Sequence, residues 1–438
     1  GQKTCIPHIM RIKLIIVGFH ILGGDNMKYI VVLLALLVGS QAANAKTNER
    51  DTDLNVAIFE YLPDASTAIK KIEKAFERRY RSIDIDLELW NPYDDSFEDD
   101  GLSQIVDFDI VEIDSCRIDQ LMQGTFGGLD PLPTEARPAS NAYIGPAKTI
   151  TATPIGQYLL PHWVCGNFLV IRSSNTNVVA AKSFDSFIEA VNPSMKKPVL
   201  AAMWGKTGLG EFYADAMLDL YGPEKTRDHL SLLASGKTDL DLKAKEEVLM
   251  LVKELSEHNQ SHLEHYYNHS YLLPRQFASK ENVDAVLLGY SERLYYTESE
   301  LLLVPDVSPP SIKPDDVVVR QFSFGKESQG TPTWTDGFVI PKGRLSKKRA
   351  AIVAFLQFIQ SEEAYLAFSE PTAYLAPSYL LPATAAAYDK TSQIVAKQPL
   401  LPKYRDVLDE KFPVSDSTIW QGMRAAGGIL RKALKPNE

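Results

Sequence analysis

The chain has 438 residues, a formal net charge of −10 at pH 7 and a hydrophobic fraction of 45%. That length suits two to three domains with a substantial buried core. An acidic chain of this kind lacks the clustered lysine and arginine that contacts to phosphate backbones require. We therefore expect no nucleic-acid partner, and a small cationic ligand suits the charge better.

The amino terminus has the layout of a secretory signal peptide. Residues 27–45, MKYIVVLLALLVGSQAANA, contain a lysine, an apolar run too short to cross a bilayer, and the small-residue end Ala43-Asn44-Ala45. We interpret residues 1–26 as an upstream extension and treat residues 1–45 as a leader. The leader holds four lysines or arginines and one aspartate, so its removal changes the net charge from −10 to −13. The sequence predicts an exported protein, periplasmic or secreted, with no membrane insertion in the mature chain.

The first mature elements alternate between strand and helix. Strands are predicted at Leu54–Tyr61, Ile83–Trp90 and Phe108–Ile113, with a helix at Thr67–Tyr80 and a short one at Ile118–Met122. This order is typical of a parallel sheet with crossover helices, whose ligands lie beyond the carboxyl ends of the strands. The rule points to Phe59, Tyr61 and Asp114. Core packing of the two aromatic rings, and an N-cap role for Asp114, stay open as alternatives.

A lone cysteine, Cys165, lies in the apolar stretch QYLLPHWVCGNFLVIR at Gln157–Arg172. Strand-like runs flank Cys165, and they are broken at Pro161 and Gly166. We therefore place Cys165 where a strand is interrupted. A cysteine in such a run is often a small hydrophobic filler, whereas a nucleophilic cysteine needs a base. His162 is a poor candidate for that base, because a separation of three residues in an extended segment places the two side chains on opposite faces.

Further elements follow in the same alternating pattern. The predicted segments are helices at Phe184–Val191, Glu211–Tyr221 and Lys243–His258, strands at Pro198–Met203, Val283–Leu288 and Phe338–Ile340, and a long helix at Lys347–Phe368. The glycine-rich residues 205–210, GKTGLG, lack the order of a phosphate-binding loop, and we interpret them as a turn into a helix; contact with a ligand phosphate stays open as an alternative.

Four histidines have spacings that would suit a metal if the preceding helix continued: His258, His262, His265 and His269. No H-E-x-x-H motif accompanies them, so we expect a solvated polar face and no metal.

The segment GYSE at Gly289–Glu292 ends a buried strand and precedes a helix predicted from Arg293. Ser291 would be the N-cap and Glu292 would lie in the first turn, where the helix dipole favours a charged carboxylate. The apolar strand behind it favours the neutral form. The direction of the Glu292 pKa shift therefore stays open at this point.

Taken together, six blocks resemble thiamine pyridinylase, also called thiaminase I, an exported enzyme family built on the two-lobed periplasmic binding-protein fold. The blocks are LNVAIFEYLPD at residues 54–64, FDIVEIDS at 108–115, LPHWVCGNFLVIR at 160–172, GYSE at 289–292, TWTDGFV at 333–339 and YLLPA at 379–383. The cysteine block and GYSE, in that order, carry the resemblance, because sugar-binding relatives share the strand pattern of the others.

The resemblance implies an α/β, two-lobed, periplasmic binding protein-like (type II) fold with the active site in the cleft between the lobes. Lobe one would hold residues 54–165 plus 335–368, and lobe two residues 166–334 plus 369–438.

The resemblance also assigns roles to particular residues. The nucleophilic cysteine of the family falls on Cys165 and its catalytic glutamate on Glu292. The substrate-contacting aspartates fall on Asp114 and Asp336, and the cleft aromatics on Phe59, Tyr61, Tyr290 and Trp334. Phe59 and Trp334 stand where relatives carry tyrosine, which keeps stacking and drops a hydroxyl.

The implied function is a transferase that exchanges the thiazole of thiamine for another base through a covalent cysteine-pyrimidine intermediate. It would need no cofactor, would use thiamine and a small amine or thiol nucleophile, and would be a monomer. A disulfide between Cys116 and Cys165 would consume the nucleophile, so neither should be bonded in the active protein. The alternatives are a non-catalytic solute-binding protein for thiamine or a related pyrimidine, and a sugar-binding protein. Neither alternative needs Cys165 or Glu292.

Overall fold

A computed structural model describes residues 52–93, 101–191, 205–257, 277, 286–301, 312–325, 329–369 and 376–434. These residues belong to one compact unit, Arg50–Glu438. The leader, the strand predicted at Pro198–Met203 and the four histidines from His258 to His269 lie outside the described residues.

The strands, in chain order, are β1 Thr52–Phe59, β2 Ile83–Trp90, β3 Ile110–Asp114, β4 Leu129–Asp130, β5 Leu160–Gly166, β6 Phe168–Arg172, β7 Val286–Gly289, β8 Val317–Gln321, β9 Pro332–Pro341, β10 Leu381–Pro382 and β11 Phe412–Pro413. The α-helices are α1 Ala65–Arg79, α2 Ile118–Met122, α3 Gly145–Thr151, α4 Thr176–Ala180, α5 Phe184–Ala190, α6 Lys206–Ala234, α7 Leu242–Glu257, α8 Arg293–Leu301, α9 Leu345–Ile359, α10 Glu362–Ser369, α11 Gln393–Lys397, α12 Leu401–Val407 and α13 Ser417–Leu434.

Within the described residues the strands form two sheets. The larger has eight strands in the order β10-β5-β9-β3-β1-β2, with β4 and β11 added to β9. Its predicted parallel part is confirmed, because β1 pairs in parallel with both β2 and β3. Strand β9 runs antiparallel between β3 and β5. The smaller sheet is antiparallel, in the order β7-β6-β8.

The chain crosses between the sheets at two defined places. Asn167 alone separates β5 of the large sheet from β6 of the small one. The return connects β8 of the small sheet to β9 of the large one. Residues at these crossings therefore lie near both sheets.

Helix α1 buries one apolar face in the core beside the large sheet. Its buried residues include Ala68, Ile72 and Phe76, which recur at helical spacing and share one face. The Phe76 ring contacts the rings of Phe355 and Phe358 in α9, at centroid distances of 5.9 and 5.4 Å. Helix α9 thereby returns a distant part of the sequence to the core of this sheet.

Three predictions about these elements were wrong. Strand β5 runs unbroken from Leu160 to Gly166, so Cys165 lies inside a strand and the break falls at Asn167. A register shift between Pro161 and Trp163 shows that a β-bulge accommodates the proline. The residues expected to form a turn at 205–210 largely belong to the first turns of α6. The single helix predicted at Lys347–Phe368 is two helices, α9 and α10.

Candidate functional site

A cavity of about 440 Å³ is lined by residues of the large sheet, of the segment 290–292 that follows β7 of the small sheet, and of α6 and α13. Its volume lies within the range of small-ligand pockets, about 300–1,000 Å³. All eight site residues predicted from the sequence line it: Phe59, Tyr61, Asp114, Cys165, Tyr290, Glu292, Trp334 and Asp336. The structure thus brings the whole predicted set to one place, while the role of each stays a prediction.

Strand register explains how four of these side chains meet. Asp114, the last residue of β3, lies opposite Asp336 of β9, and Cys165 of β5 lies opposite Trp334. Residues directly opposite each other on neighbouring strands point to the same side of a sheet, and so do residues two apart on one strand. Trp334 and Asp336 are two apart. The cysteine and the two aspartates are therefore directed into the cavity together.

The two aspartates form a hydrogen-bonded pair. Burial raises the pKa of both carboxyls, and the negative charge of Asp114 raises that of Asp336 further. Two buried carboxyl groups that share a hydrogen bond do not both ionise at neutral pH. Asp336 therefore keeps the shared proton and donates it to Asp114. The Tyr93 hydroxyl also donates to Asp114. Asp114 makes no side-chain capping bond to the turn that follows it, which removes the N-cap alternative.

The Cys165 side chain is partly buried, and neither Cys165 nor Cys116 is in a disulfide. Burial raises the pKa of the Cys165 thiol well above its ordinary value, and the carboxylates of Asp336 and Glu292 add to the shift. The thiol is therefore protonated at neutral pH and needs a base to act as a nucleophile.

His162 does not line the cavity. Its Nδ1 atom lies 2.7 Å from Oε1 of Glu112, and both side chains are fully inaccessible to solvent. The imidazole packs against the rings of Trp163, Phe338 and Tyr365. It supports the sheet behind the cavity and cannot serve Cys165 as a base.

Glu292 lies directly before α8 and is 9% exposed. Burial raises its pKa, and the charge of Arg293 opposes the shift. The direction left open by the sequence is therefore upward. A carboxylate with a raised pKa is a stronger general base than an exposed one.

Sequence reasoning missed several residues of the cavity wall. Among them, Glu211 has a strongly shifted pKa. Its Oε2 accepts a hydrogen bond of 2.7 Å from the Asn167 amide, and its Oε1 accepts one from the Tyr290 hydroxyl. Burial raises the pKa of Glu211 to about 7. The available signal was an acidic residue inside the apolar run Leu209–Leu218 of α6. Tyr93 and Trp420 also line the cavity and were missed.

Two absences concern only the described part of the chain. No group of three or more His, Cys, Asp or Glu side chains there is placed to hold a metal ion. Among the helices of that part, none combines the length and the apolar character that crossing a membrane requires.

The fold is that of the two-lobed solute-binding proteins. An ABC transporter solute-binding protein from Agrobacterium vitis S4, with bound D-mannitol, matches with a TM-score of 0.59 at 15% identity, over 88% of this chain and 94% of that one. The predicted two-lobed, periplasmic binding protein-like α/β fold is thus confirmed. The division of residues between the lobes stays a prediction.

Thiaminase I structures share this fold with the chain. Clostridium botulinum thiaminase I in complex with thiamin matches with a TM-score of 0.66 at 19% identity, over 87% of this chain and 100% of that chain. Thiaminase I from Bacillus thiaminolyticus matches with a TM-score of 0.63 at 17% identity, over 87% and 99%. No family model and no curated protein matches the sequence. The resemblance to thiaminase I is confirmed at the level of the fold.

Proposed function

We propose that the protein is a thiamine-degrading transferase that exchanges the thiazole of thiamine for a small amine or thiol. The observation that carries the proposal is that Cys165, Glu292, Asp114 and Asp336 all line one cavity in a fold shared with thiaminase I. The predicted leader at residues 27–45 supports an exported enzyme. No metal or cofactor enters the scheme.

The first half of the reaction breaks the bond between the two rings of thiamine. Glu292 removes the proton of the Cys165 thiol, and the thiolate adds to a carbon of the pyrimidine ring. The electron pair displaced into the ring then breaks the bond between the methylene carbon and the thiazolium nitrogen. Thiazole leaves as a neutral molecule with that electron pair, so the charge of the cation is discharged in this step.

The aspartate pair supports the pyrimidine during this step. An aminopyrimidine offers N–H donors at its amino group and acceptors at its ring nitrogens. When Asp336 turns its proton from Asp114 to the substrate, the pair supplies one donor and one acceptor, which matches the amino group and the neighbouring ring nitrogen of the pyrimidine. Donation to a ring nitrogen strengthens as electron density arrives there, so the interaction stabilises the transition state more than the bound substrate.

The second half restores the enzyme. The incoming amine or thiol adds to the methylene carbon and loses its proton to solvent, the bond between sulfur and the pyrimidine carbon breaks, and the proton held by Glu292 returns to Cys165. Tyr61, Tyr290 and Trp334 line the same cavity and give the thiazolium cation aromatic faces.

A non-catalytic solute-binding protein for thiamine is the second candidate. It is favoured by the fold shared with the mannitol-bound transporter protein. Binding alone has no use for a thiol beside a carboxylate of raised pKa, which is why we prefer the enzyme.

Release of thiazole from thiamine, with aniline or pyridine as the acceptor, tests the proposal. Cys165→Ser should abolish release and keep thiamine affinity, since one sulfur-to-oxygen change removes little contact area. Glu292→Gln should reduce release by about 10²–10⁴-fold, the usual contribution of a general base. The double variant should lose no more than Cys165→Ser, because the two residues act as one unit.

Cys116→Ser is the matched control, because Cys116 is a second thiol that does not line the cavity. It should keep wild-type release. Undiminished release by Cys165→Ser would refute the covalent step. Tight thiamine binding without any release by the wild-type protein would favour the solute-binding alternative.

A further inference from the structure

Three basic side chains line the cavity and have no part in the proposed chemistry. They are Lys206 of α6 and Arg424 and Arg431 of α13. The cavity wall also contains four carboxyl side chains, at Asp114, Glu211, Glu292 and Asp336. Thiamine carries a positive charge on its thiazolium ring and no anionic group. Basic side chains at one side of the cavity suit a ligand that carries negative charge at that side in addition to the thiazolium cation.

The fold brings these three residues together through a close helix crossing. A Cβ atom added at Gly427 of α13 would lie 1.8 Å from the carbonyl oxygen of Lys206, so the first turn of α6 rests directly on Gly427. Arg424 and Arg431 are three residues before and four residues after Gly427, which places all three on one face of α13. The two arginines therefore flank the first turn of α6, where Lys206 lies.

The basic group lies at the solvent side of the cavity. Lys206 is exposed and both arginines are partly buried. The guanidinium of Arg424 lies 4.9 Å from the centre of the Trp420 ring, a cavity residue, which restricts its orientation. Guanidinium and ammonium groups placed in this way suit a phosphate, because they donate several charge-assisted hydrogen bonds to its oxygens.

Helix α6 connects the basic group to the residues of the proposed chemistry. Lys206 and Glu211 are five residues apart on α6, about 7.5 Å along the helix axis. Glu211 contacts Tyr290, which lies two residues before the catalytic candidate Glu292. A pyrimidine ring at Cys165 would direct the thiazolium ring and its hydroxyethyl arm away from the cysteine. The hydroxyl of that arm is the position at which thiamine is phosphorylated.

We propose that Lys206, Arg424 and Arg431 form a phosphate subsite, and that the protein takes phosphate esters of thiamine in preference to thiamine. This proposal rests on the proposed function for the identity of the rest of the ligand. It does not depend on whether the bound ligand is cleaved.

Calorimetric titration of Cys165→Ser, which removes turnover, tests the subsite with thiamine, thiamine monophosphate and thiamine diphosphate as probes. The esters should bind at least about 10-fold more tightly than thiamine, and the advantage should shrink as salt is raised. Adding Arg424→Gln and Arg431→Gln should remove the advantage and leave the Kd for thiamine equal or lower. Lys432→Gln is the matched control, since Lys432 is an exposed neighbour on α13 that does not line the cavity.

Lys206→Gln, at an exposed side chain, gives an independent variant should the double arginine variant fail to fold. Equal Kd values for thiamine and its esters would overturn the subsite. An arginine effect confined to the KM of an anionic acceptor such as sulfite, with no effect on the esters, would also overturn it.

The outcomes separate this proposal from the function on which it rests. Release of thiazole from thiamine with no preference for the esters would leave the proposed function standing and remove the subsite. Arginine-dependent preference for the esters without any cleavage by the wild-type protein would leave the subsite standing and remove the transferase.

Discussion

Glu211 allows the electrostatics of the cavity to be tested through stability. Its side chain is 1% exposed, and burial raises its pKa from 4.5 to about 7. Between these two values the folded chain holds the proton more tightly than the unfolded chain does. The free energy of unfolding should therefore fall as pH rises through this window, and the full cost of the buried charge is present above about pH 7.

The magnitude follows from the size of the shift. A difference between 4.5 and about 7 corresponds to about 3 kcal/mol, at 1.36 kcal/mol for each pKa unit. Glu211→Gln cannot titrate, so it lacks this contribution at every pH. The variant also has altered hydrogen bonds with Asn167 and Tyr290, and the resulting change in stability does not follow the titration of residue 211. Relative to the variant, wild-type protein should lose about 3 kcal/mol of stability between pH 4.5 and 8.

Urea unfolding of both proteins across this pH range measures the effect. Glu224→Gln makes the same chemical change at an exposed position of the same helix, and its stability should follow the wild-type curve. Parallel stability curves for wild type and Glu211→Gln would refute the reasoning, because they would mean that Glu211 titrates alike in the folded and unfolded chains.

Two further predictions concern the framework around the cavity, and urea unfolding checks both. His162→Phe should cost about 1–3 kcal/mol, because it leaves the buried Oε1 of Glu112 without its hydrogen-bond partner, and adding Glu112→Met should recover part of the loss. An equal or larger loss in the double variant would contradict this. Gly427→Ala should cost about 1–3 kcal/mol by forcing α6 and α13 apart, whereas Gly428→Ala, where an added Cβ meets nothing within 4 Å, should be neutral or slightly stabilising. Equal effects of the two alanines would show that the close crossing does not limit stability.

Local pattern was sufficient for many of the elements. The alternation in β2 and the helical spacing in α1 gave those elements to within about two residues, because each buries one face against a neighbour. The short motifs around Cys165 and Glu292 identified candidate residues that share one cavity. Such signals are carried by residues close together in the sequence, so they can be recognised before the fold is known.

Partner strands decided the course of β5. Pro161 and Gly166 suggested an interrupted strand, yet pairing with β9 on one side and β10 on the other keeps the strand continuous through Cys165. A bulge next to Pro161 absorbs the local mismatch. The preference of a residue type for or against a β-strand is weak, and hydrogen bonds to partner strands on both sides override it.

Only the tertiary structure decided the protonation and the charge pattern of the cavity. Asp114 and Asp336 are remote in sequence, and the register of β3 against β9 makes them a pair that shares a proton. Burial raises the pKa of Glu292. From the sequence alone, this effect could not be weighed against the helix dipole, which favours the charged carboxylate. The crossing of α6 and α13 at Gly427 gathers the three cations in the same way. The sequence determines which ionisable groups are present, but a pKa and a local charge depend on distance and solvent access, and these are fixed only when remote segments pack together.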